Sequence, residues 1–243
     1  MDRWLGLIRS LVIYNNPVRT RAWRRFYRGI LMPGDVAFDV GAHVGTRTRA
    51  MRAAGAQVVA IEPQDLFVRF LRHSLPRDVT LIAAALGASE QQASMAVSSR
   101  YPTVSSLKPD FVTEAKHAPG FGHVRWDRQQ NVTMTTLDRL ISEFGVPRYI
   151  KVDVEGYELD VLSGLSRPIE LVSVEYLPGF AGLTRAAIER MLQLGSCRFN
   201  PLVGEQTTFL WPEWRDAAAT VAWLESLAAD APSGDLFARF ETE

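Results

Sequence analysis

The sequence of 243 residues has little cysteine and no long apolar run: Cys197 is its single cysteine, and no stretch of 18 apolar residues occurs. One cysteine cannot form an internal disulfide, so we expect a reducing, cytoplasmic compartment. Without a long apolar run we expect no membrane-spanning helix. Asp2 and the interruption at Arg9 and Ser10 also argue against a signal peptide. No repeat and no linker rich in Gly, Ser or Pro divides the chain, which excludes repeat architectures.

Acidic residues are nearly absent from the first 30 residues, although the net charge of the whole chain is zero. Asp2 stands there against seven arginines, namely Arg3, Arg9, Arg19, Arg21, Arg24, Arg25 and Arg28. We predict a basic helical N-terminal extension over residues 1–30 and a single domain over residues 31–243. The extension is expected to pack its apolar residues on that domain, and contact with an anionic membrane surface stays open as an alternative.

Short apolar runs alternate with helical patterns along most of the chain. The runs are rich in β-branched residues and predict buried strands at 36–40, 58–61, 80–84, 149–154 and 171–174. Helices are predicted between them, at about 45–54, 64–75, 136–144, 157–164 and 184–194. This alternation is typical of a mostly parallel sheet with helices on both faces. Near the end, residues 197–200 and 207–211 flank a turn with Pro and Gly and predict an antiparallel hairpin at one edge.

Residues 98–131 break this alternation, because they mix Pro, Gly, aromatics and both charges without a clear period. Long irregular insertions in compact domains are commonly binding loops or lids. Four aromatic residues, Tyr101, Phe111, Phe121 and Trp126, are costly to leave in water and argue against a disordered loop. We therefore predict that residues 98–131 form a partly ordered lid.

The stretch FDVGAHVGTRT runs from a predicted strand into a glycine-spaced turn. Gly41 and Gly45 open the next helix, a geometry in which backbone N–H groups can face a ligand. A dinucleotide-binding turn has a further glycine where His43 stands, and a carboxylate such as Asp39 would repel a pyrophosphate. Glu62, about 20 residues further on, ends the second strand, where an acid accepts hydrogen bonds from ribose hydroxyls. The pattern predicts a site for a nucleoside that carries positive charge, and S-adenosylmethionine fits that description.

A second group of ionisable residues lies in YIKVDVEGYE, at the end of another predicted strand. Alternation along an extended strand puts Lys151, Asp153 and Glu155 on one side, at the edge where parallel sheets bind ligands. Glu175 ends the next strand and is expected to join them. The carboxylates could orient or deprotonate a hydroxyl, could be neutralised by Lys151 in a structural role, or could hold Mg²⁺. We favour the catalytic role and predict no metal.

Five blocks of the sequence together resemble the FkbM-type family of S-adenosylmethionine-dependent methyltransferases. They are PGDVAFDVGAHVGTRT, VVAIEP, TTLDRL, YIKVDVEGYELDVLSG and SVEY, and the resemblance covers residues 33–178. It implies a class I methyltransferase fold with a Rossmann-like sheet of seven strands in the order 3-2-1-4-5-7-6, strand 7 being antiparallel. It also implies O-methylation of a hydroxyl on a glycan, a polyketide or another natural product, with residues 98–131 available to bind this acceptor.

The resemblance assigns roles to individual residues. For the cofactor they are Asp39, Gly41, Ala42, His43 and Gly45 at the methionine end, Glu62 at the ribose, and Pro63, Ala84 and Ala85 at the adenine. The predicted catalytic residues are Lys151, Asp153, Glu155 and Glu175. We expect His43 to contribute its backbone N–H while its ring packs nearby, because a histidine within such a turn needs no catalytic role.

Other functions stay open. A nucleic-acid methyltransferase would have to use the basic N-terminus, but the chain lacks an NPPY-type motif and a basic face beyond residue 30, so we expect no nucleic-acid partner. A nucleotide-dependent oxidoreductase would need phosphate contacts, which Asp39 disfavours. His117 and His123 are further candidate bases if the insertion folds over the site, although a loop histidine is more commonly a surface residue.

Overall fold

The computed structural model describes residues 2–14, 16–115 and 122–241. In chain order the elements are α1 Asp2–Tyr14, α2 Pro17–Ile30, β1 Val36–Val40, α3 Thr46–Ala53, β2 Gln57–Ile61, α4 Asp65–Ser74, β3 Thr80–Ile82, β4 Ala85–Leu86, β5 Gln91–Val97, α5 Pro109–Ala115, β6 Arg128–Thr135, α6 Leu137–Phe144, β7 Tyr149–Val152, α7 Glu158–Ser163, β8 Leu171–Tyr176, α8 Ala181–Leu194, β9 Cys197–Val203, α9 Ala217–Glu225 and β10 Gly234–Phe240. Single 3-10 turns lie at Pro102–Val104 and Pro178–Phe180. No helix in the described ranges is long and apolar enough to cross a membrane.

Seven strands form the central sheet in the order β3-β2-β1-β7-β8-β10-β9. Neighbouring strands from β3 to β8 are parallel, whereas β10 is antiparallel to both β8 and β9. Numbered within this sheet alone, the order is 3-2-1-4-5-7-6 with strand 7 antiparallel. The predicted fold class is therefore confirmed. Parallel strands with helices on both faces place their carboxyl ends at one edge, where such sheets bind ligands.

Strand and helix positions in the first 194 residues follow the sequence pattern closely, but three predictions about strands are wrong. The strand predicted at 80–84 ends at Ile82. The strand predicted to reach residue 154 ends at Val152. The C-terminal hairpin does not form: β9 continues through Pro201 to Val203, and its partner is β10 rather than residues 207–211. A proline is tolerated at this position because β9 is an edge strand.

A second sheet of three strands, β4-β6-β5, stands beside the first. Strands β5 and β6 pair antiparallel over residues 91–97 and 128–134, so the beginning of β6 lies within the stretch predicted to be irregular. Between them the chain forms the 3-10 turn Pro102–Val104 and helix α5, where Phe111 is 1% exposed. The described part of the insertion thus contains regular structure. Its role as a partly ordered lid remains a prediction, and His117 and Phe121 lie outside the described residues.

The two N-terminal helices pack one face each on the domain. Helix α2 begins at Asn16, whose side chain accepts hydrogen bonds from two backbone N–H groups of the first turn. Trp23 and Tyr27, one turn apart, are both 1% exposed, and their rings lie in an aromatic cluster with Tyr149 and Phe237 of the sheet. Packing of this kind stabilises a helix more than its intrinsic propensity does. The division of the chain into an extension and a domain remains a prediction.

Candidate active site

The glycine turn after β1 folds around three residues with positive φ. Gly41, His43 and Gly45 have φ angles of 81°, 51° and 75°. A Cβ at residue 41 would lie 1.9 Å from the carbonyl oxygen of Asp153, so only glycine lets β1 and β7 end this close together. The backbone N–H of Gly41 donates to the carbonyl of Ile61 at 3.0 Å. The turn is thereby fixed against the ends of both neighbouring strands.

Glu62 follows β2, and backbone groups hold both of its carboxylate oxygens. Oε2 accepts from the N–H of His43 and Oε1 from the N–H of Gln64, each at 2.8 Å. The residue is 3% exposed, and this burial raises the pKa of Glu62 to about 8, against the lowering effect of the two N–H groups. Each carboxylate oxygen keeps a second lone pair. Since Glu62 lines a cavity, it can still accept hydrogen bonds from a ligand.

His43 contributes its backbone to the site and its ring to packing, as expected. The ring lies 4.3 Å, centroid to centroid, from that of Phe67. Its Nε2 is 3.0 Å from the hydroxyl oxygen of Ser10, which belongs to α1. Burial lowers the pKa of His43 to about 4, so the ring is neutral at physiological pH. Helix α1 is thus in contact with the glycine turn.

Asp39 lies beneath the turn and does not line the cavity. It is 1% exposed, and its Oδ2 accepts a hydrogen bond from the hydroxyl of Thr48 on α3. Oδ1 is buried and has no hydrogen-bond partner among the described residues. Burial raises the pKa of Asp39, while the neighbouring charge of Lys151 and the Thr48 bond lower it. The carboxylate therefore joins β1, α3 and β7 under the site instead of forming part of its wall.

Three carboxylates converge at the same edge of the sheet. Oxygens of Asp153, Glu155 and Glu175 all lie within 4.8 Å of one another. Because β7 ends at Val152 and Glu155 has a φ of 54°, the extended alternation expected through Glu155 is wrong. The left-handed turn at Glu155, together with the end of β8, brings the three acids together by another route. Lys151 donates from Nζ to Oδ2 of Asp153 at 2.7 Å.

The three carboxyl groups differ in how readily they ionise. Desolvation opposes ionisation of Asp153, but the attraction of Lys151 and its hydrogen bond lower the pKa of Asp153 overall. Burial and the negative charge of Asp153 raise the pKa of Glu155 well above its ordinary value. Burial, with repulsion from Glu155 and Asp153, does the same for Glu175. The Oε2 atom of Glu175 has no hydrogen-bond partner in the described part of the chain, which leaves it available to a ligand.

A single cavity connects the turn and the acidic cluster. We call its two ends the turn end, lined by Gly41, Ala42, His43, Glu62, Pro63, Ala84 and Ala85, and the acidic end, lined by Lys151, Asp153, Glu155 and Glu175. Of the residues assigned to the site from sequence, Asp39 and Gly45 are outside this lining. His123 is outside it as well, with its ring 4.5 Å from that of Tyr101, and His117 lies beyond the described residues.

The turn end includes residues that the sequence did not single out. Gln64, Met95, Thr103 and Ser105 also line it. Gln64 donates from Nε2 to the carbonyl of Pro102 at 2.9 Å and accepts from the Ser105 hydroxyl at 3.3 Å. The second sheet and the insertion thus close the wall beside β4.

The acidic end extends to a group of charged residues from distant parts of the chain. Arg47 on α3 lies 3.1 Å above the ring centroid of Trp23, and its guanidinium donates to Oε2 of Glu205 at 3.0 Å. The indole N–H of Trp23 donates to the same oxygen at 3.3 Å. Arg19 and Ser233 complete this wall. The five residues come from four regions of the chain, so no local pattern could have grouped them.

Comparison with known proteins identifies the family. A family model described as the methyltransferase FkbM domain matches residues 39–228. The chain belongs to the FkbM methyltransferase family. The predicted resemblance is therefore confirmed, and with it the class of enzyme and the cofactor, since this is a domain of the S-adenosylmethionine-dependent methyltransferases.

Individual relatives of this FkbM domain are distant. The hexuronic acid methyltransferase AglP of Haloferax volcanii is 28% identical over 163 residues, which are 65% of this chain and 61% of that protein. The chain thus spans less than two thirds of the length of this relative. An O-methyltransferase from Bacillus cereus in complex with SAH has 10% identity and a TM-score of 0.48, covering 97% of this chain and 90% of that one. A TehB-like methyltransferase from Corynebacterium glutamicum has 9% identity and a TM-score of 0.47, covering 96% and 94%. The two structural likenesses, with TM-scores below 0.5, carry no argument about function.

Proposed function

We propose that this chain transfers the methyl group of S-adenosylmethionine to a hydroxyl of a sugar, in a glycan or a natural product. The observation that carries the proposal is that Glu62 and the three-carboxylate cluster line one and the same cavity, Glu62 at its turn end and the cluster at its acidic end. One end suits a ribose, and the other suits a hydroxyl that must lose a proton.

The turn end fits the cofactor in charge and in shape. Glu62 offers two acceptor oxygens for ribose hydroxyls. Ala84, Ala85 and Met95 provide an apolar wall of the kind an adenine ring requires. The cationic side chains that line the described cavity are Arg19, Arg47 and Lys151, all toward the acidic end, so the turn end offers no charge partner for phosphates. This arrangement favours a nucleoside without phosphates over NAD(P).

Side chains of the acidic end carry the remaining tasks. S-adenosylmethionine, when bound, supplies a methyl group that its sulfonium has already activated. The chain has to align the acceptor oxygen, take up its proton and exclude water. Glu175 takes the proton in this proposal, because its Oε2 is buried without a hydrogen-bond partner in the described residues. Asp153, kept ionised by Lys151, contributes the negative charge that attracts a cationic cofactor. Glu155, whose pKa is also raised, shares the proton with Glu175.

A sugar acceptor is supported by the relative and by the cavity wall. AglP is named for methylating a hexuronic acid, a ligand with several hydroxyls. The acidic end is lined by carboxylates, by Arg47 and by Ser233. Such a polar wall suits a polyhydroxylated ligand better than an apolar one.

A divalent cation at Asp153, Glu155 and Glu175 is the second candidate mechanism, since their oxygens are close enough to share one ion. The cation would then polarise the acceptor hydroxyl. Activity that disappears on chelation and returns with Mg²⁺ would establish this mechanism in place of a proton-sharing cluster.

The decisive experiment is an acceptor screen with methyl-labelled S-adenosylmethionine. Sugars, uronic acids, glycolipid head groups and hydroxylated polyketides are incubated with the chain, and products are identified by mass spectrometry. We expect label on a sugar oxygen, together with release of S-adenosylhomocysteine. Calorimetric binding of NAD(P) without binding of S-adenosylmethionine would favour an oxidoreductase, and labelled tRNA or DNA would favour a nucleic-acid methyltransferase.

A further inference from the structure

The outward side of the two N-terminal helices exposes large aliphatic residues. Val12 is 75% exposed, Val18 is 73% exposed and Ile8 is 54% exposed. Val12 and Val18 are the most exposed large hydrophobic residues in the described ranges. A single exposed aliphatic residue is ordinary. Three within eleven residues of a strongly basic sequence are more than the scattered exposure of an ordinary surface.

Four arginines follow Val18 along α2. Arg21, Arg24, Arg25 and Arg28 are exposed, and within the part of the chain that the structure describes none of them forms an ion pair. Some arginines elsewhere do pair, as Arg52 does with Asp78, but the sequence holds no acidic residue between Asp2 and Asp35. The pattern therefore differs from that of an ordinary charged surface, where both signs are interspersed.

The opposite faces of both helices are fixed to the domain. With 3.6 residues per turn, Val18, Arg21, Arg25 and Arg28 fall on the side of α2 away from the buried Trp23. On α1, Leu7 and Ser10 are buried while Ile8 and Val12 are exposed. We call the exposed set the N-terminal face: Ile8, Val12, Val18, Arg21, Arg24, Arg25 and Arg28.

We propose that the N-terminal face docks on an anionic membrane surface. Arginines attract anionic lipid head groups, and aliphatic side chains enter the boundary between head groups and acyl chains. A nucleic acid would satisfy the arginines but has no apolar region to receive Val12 and Val18. Arg19, next to Val18 in sequence, lines the cavity described above, so the docked surface adjoins the wall of the candidate active site.

Vesicle binding of the full chain tests this proposal independently of methyl transfer. Co-sedimentation is measured with vesicles of phosphatidylcholine alone and with equimolar phosphatidylcholine and phosphatidylglycerol. We expect binding to the anionic vesicles, weakened by salt. The triple variant Arg21→Gln, Arg25→Gln, Arg28→Gln should bind about a hundredfold more weakly. The double variant Val12→Asp, Val18→Asp should lose about tenfold or more.

Matched controls come from exposed positions elsewhere on the chain. Arg72→Gln, Arg77→Gln, Arg167→Gln removes the same charge, and Val146→Asp, Leu192→Asp makes the same apolar-to-acid change at residues that are 53% and 44% exposed. Both controls should bind vesicles like the unaltered chain. Equal losses in control and test variants would overturn the proposal, as would the absence of anionic-vesicle binding. Binding to tRNA or DNA that depends on the arginines and not on the valines would assign the face to nucleic acid instead.

Discussion

The two ends of the cavity are built in different ways. The turn end is mostly backbone: a short segment of positive-φ residues after β1 is fixed by the end of β2, and Glu62 is held by two backbone N–H groups. The acidic end is mostly side chains, which come from α2, α3, β7, β8 and the loop at Glu205. A backbone-built end tolerates little change in conformation, whereas a side-chain-built end can be altered one residue at a time. The comparison suggests that acceptor choice can vary while the cofactor site stays the same.

The largest expected effect is at the acidic end. In Glu175→Gln we expect kcat to fall by about 10²- to 10⁴-fold, because the proposed proton acceptor is lost, while S-adenosylmethionine binding is retained. The fold should survive, because a residue whose pKa is raised by burial already favours the neutral form that Gln imitates. Turnover with the identified acceptor and calorimetry of the cofactor measure the two quantities separately.

Glu143→Gln, an exposed acid on α6, is the control for this variant. The pH profile gives a second check: with a raised pKa at Glu175, kcat of the unaltered chain should rise with pH beyond the range of an ordinary glutamate. Full turnover in Glu175→Gln would remove this residue from the mechanism.

At the turn end, Gly41→Ala is expected to disturb both the glycine turn and the backbone at Asp153 in the acidic end. The new Cβ would meet the carbonyl of Asp153 at 1.9 Å, and φ is 81°. Strain and collision together should cost about 2–5 kcal/mol of unfolding free energy. Thermal denaturation measures this as a shift of about 2–4 °C for each kcal/mol in a chain of this size.

Gly34→Ala separates the two causes. Its φ is 93°, and a Cβ there would meet no heavy atom within 4 Å, so only the strain of about 1–2 kcal/mol remains. A Gly41→Ala chain no less stable than Gly34→Ala would show that the approach of β1 to β7 is unimportant.

Glu62→Gln should weaken S-adenosylmethionine binding by about tenfold to a hundredfold, since an NH₂ donor replaces one of the two oxygens that can accept hydrogen bonds from the ribose. Its new NH₂ group would also face the N–H of either His43 or Gln64. Asp39→Asn, beneath the cavity rather than on its wall, should cost less affinity. Calorimetry of both variants decides the order, and equal losses would mean that Asp39 acts on the ligand as directly as Glu62.

The smallest expected effect is the pH dependence of stability through Glu62. Burial raises the pKa of this residue from 4.5 to about 8, so the folded chain holds the proton more tightly than the unfolded chain. The stability that Glu62 contributes is complete below the unfolded-state pKa of 4.5 and is lost as pH rises through the folded-state pKa of about 8. The Tm of Glu62→Gln should therefore improve relative to the unaltered chain as pH rises, by about 2–4 °C for each kcal/mol. Parallel Tm curves for the two chains would contradict this assignment.

The turn end of the cavity was easier to predict from the sequence than the acidic end. The turn end could be found because glycines at positive φ and an acid at the end of the next strand are local features, and parallel neighbours end at one edge. The cofactor role of Asp39 remains a prediction: one residue before the strand end, its carboxylate accepts a hydrogen bond from Thr48 on α3 and lies outside the cavity lining. Alternation along a strand shows which residues share one face of the sheet, but it does not show which face borders the cavity.

Long-range pairing accounts for the features that local sequence patterns did not predict. Strand β10 lies between β8 and β9 in the sheet although it follows both in the chain, so no local turn pattern could reveal its partners, and this order was implied by the family resemblance alone. In β5 only Met95 and Val97 are buried, which leaves too few apolar residues to indicate a strand. The grouping of Arg47, Trp23 and Glu205 depends on α2 returning to the sheet, a tertiary contact without a sequence pattern.

Helix α1 contacts both the glycine turn and the insertion, so the two contacts depend on the position of one helix. Ser10 meets the ring of His43 in the glycine turn, and Arg9 lies 4.5 Å above the ring centroid of Tyr101 in the insertion. Anything that shifts the helix on its outer side changes the free energy of both contacts. Coupling between binding sites is reciprocal. A ligand that changes the contact between His43 and Ser10 therefore alters the free energy that holds α1 on the domain by as much as displacement of α1 alters the affinity for that ligand.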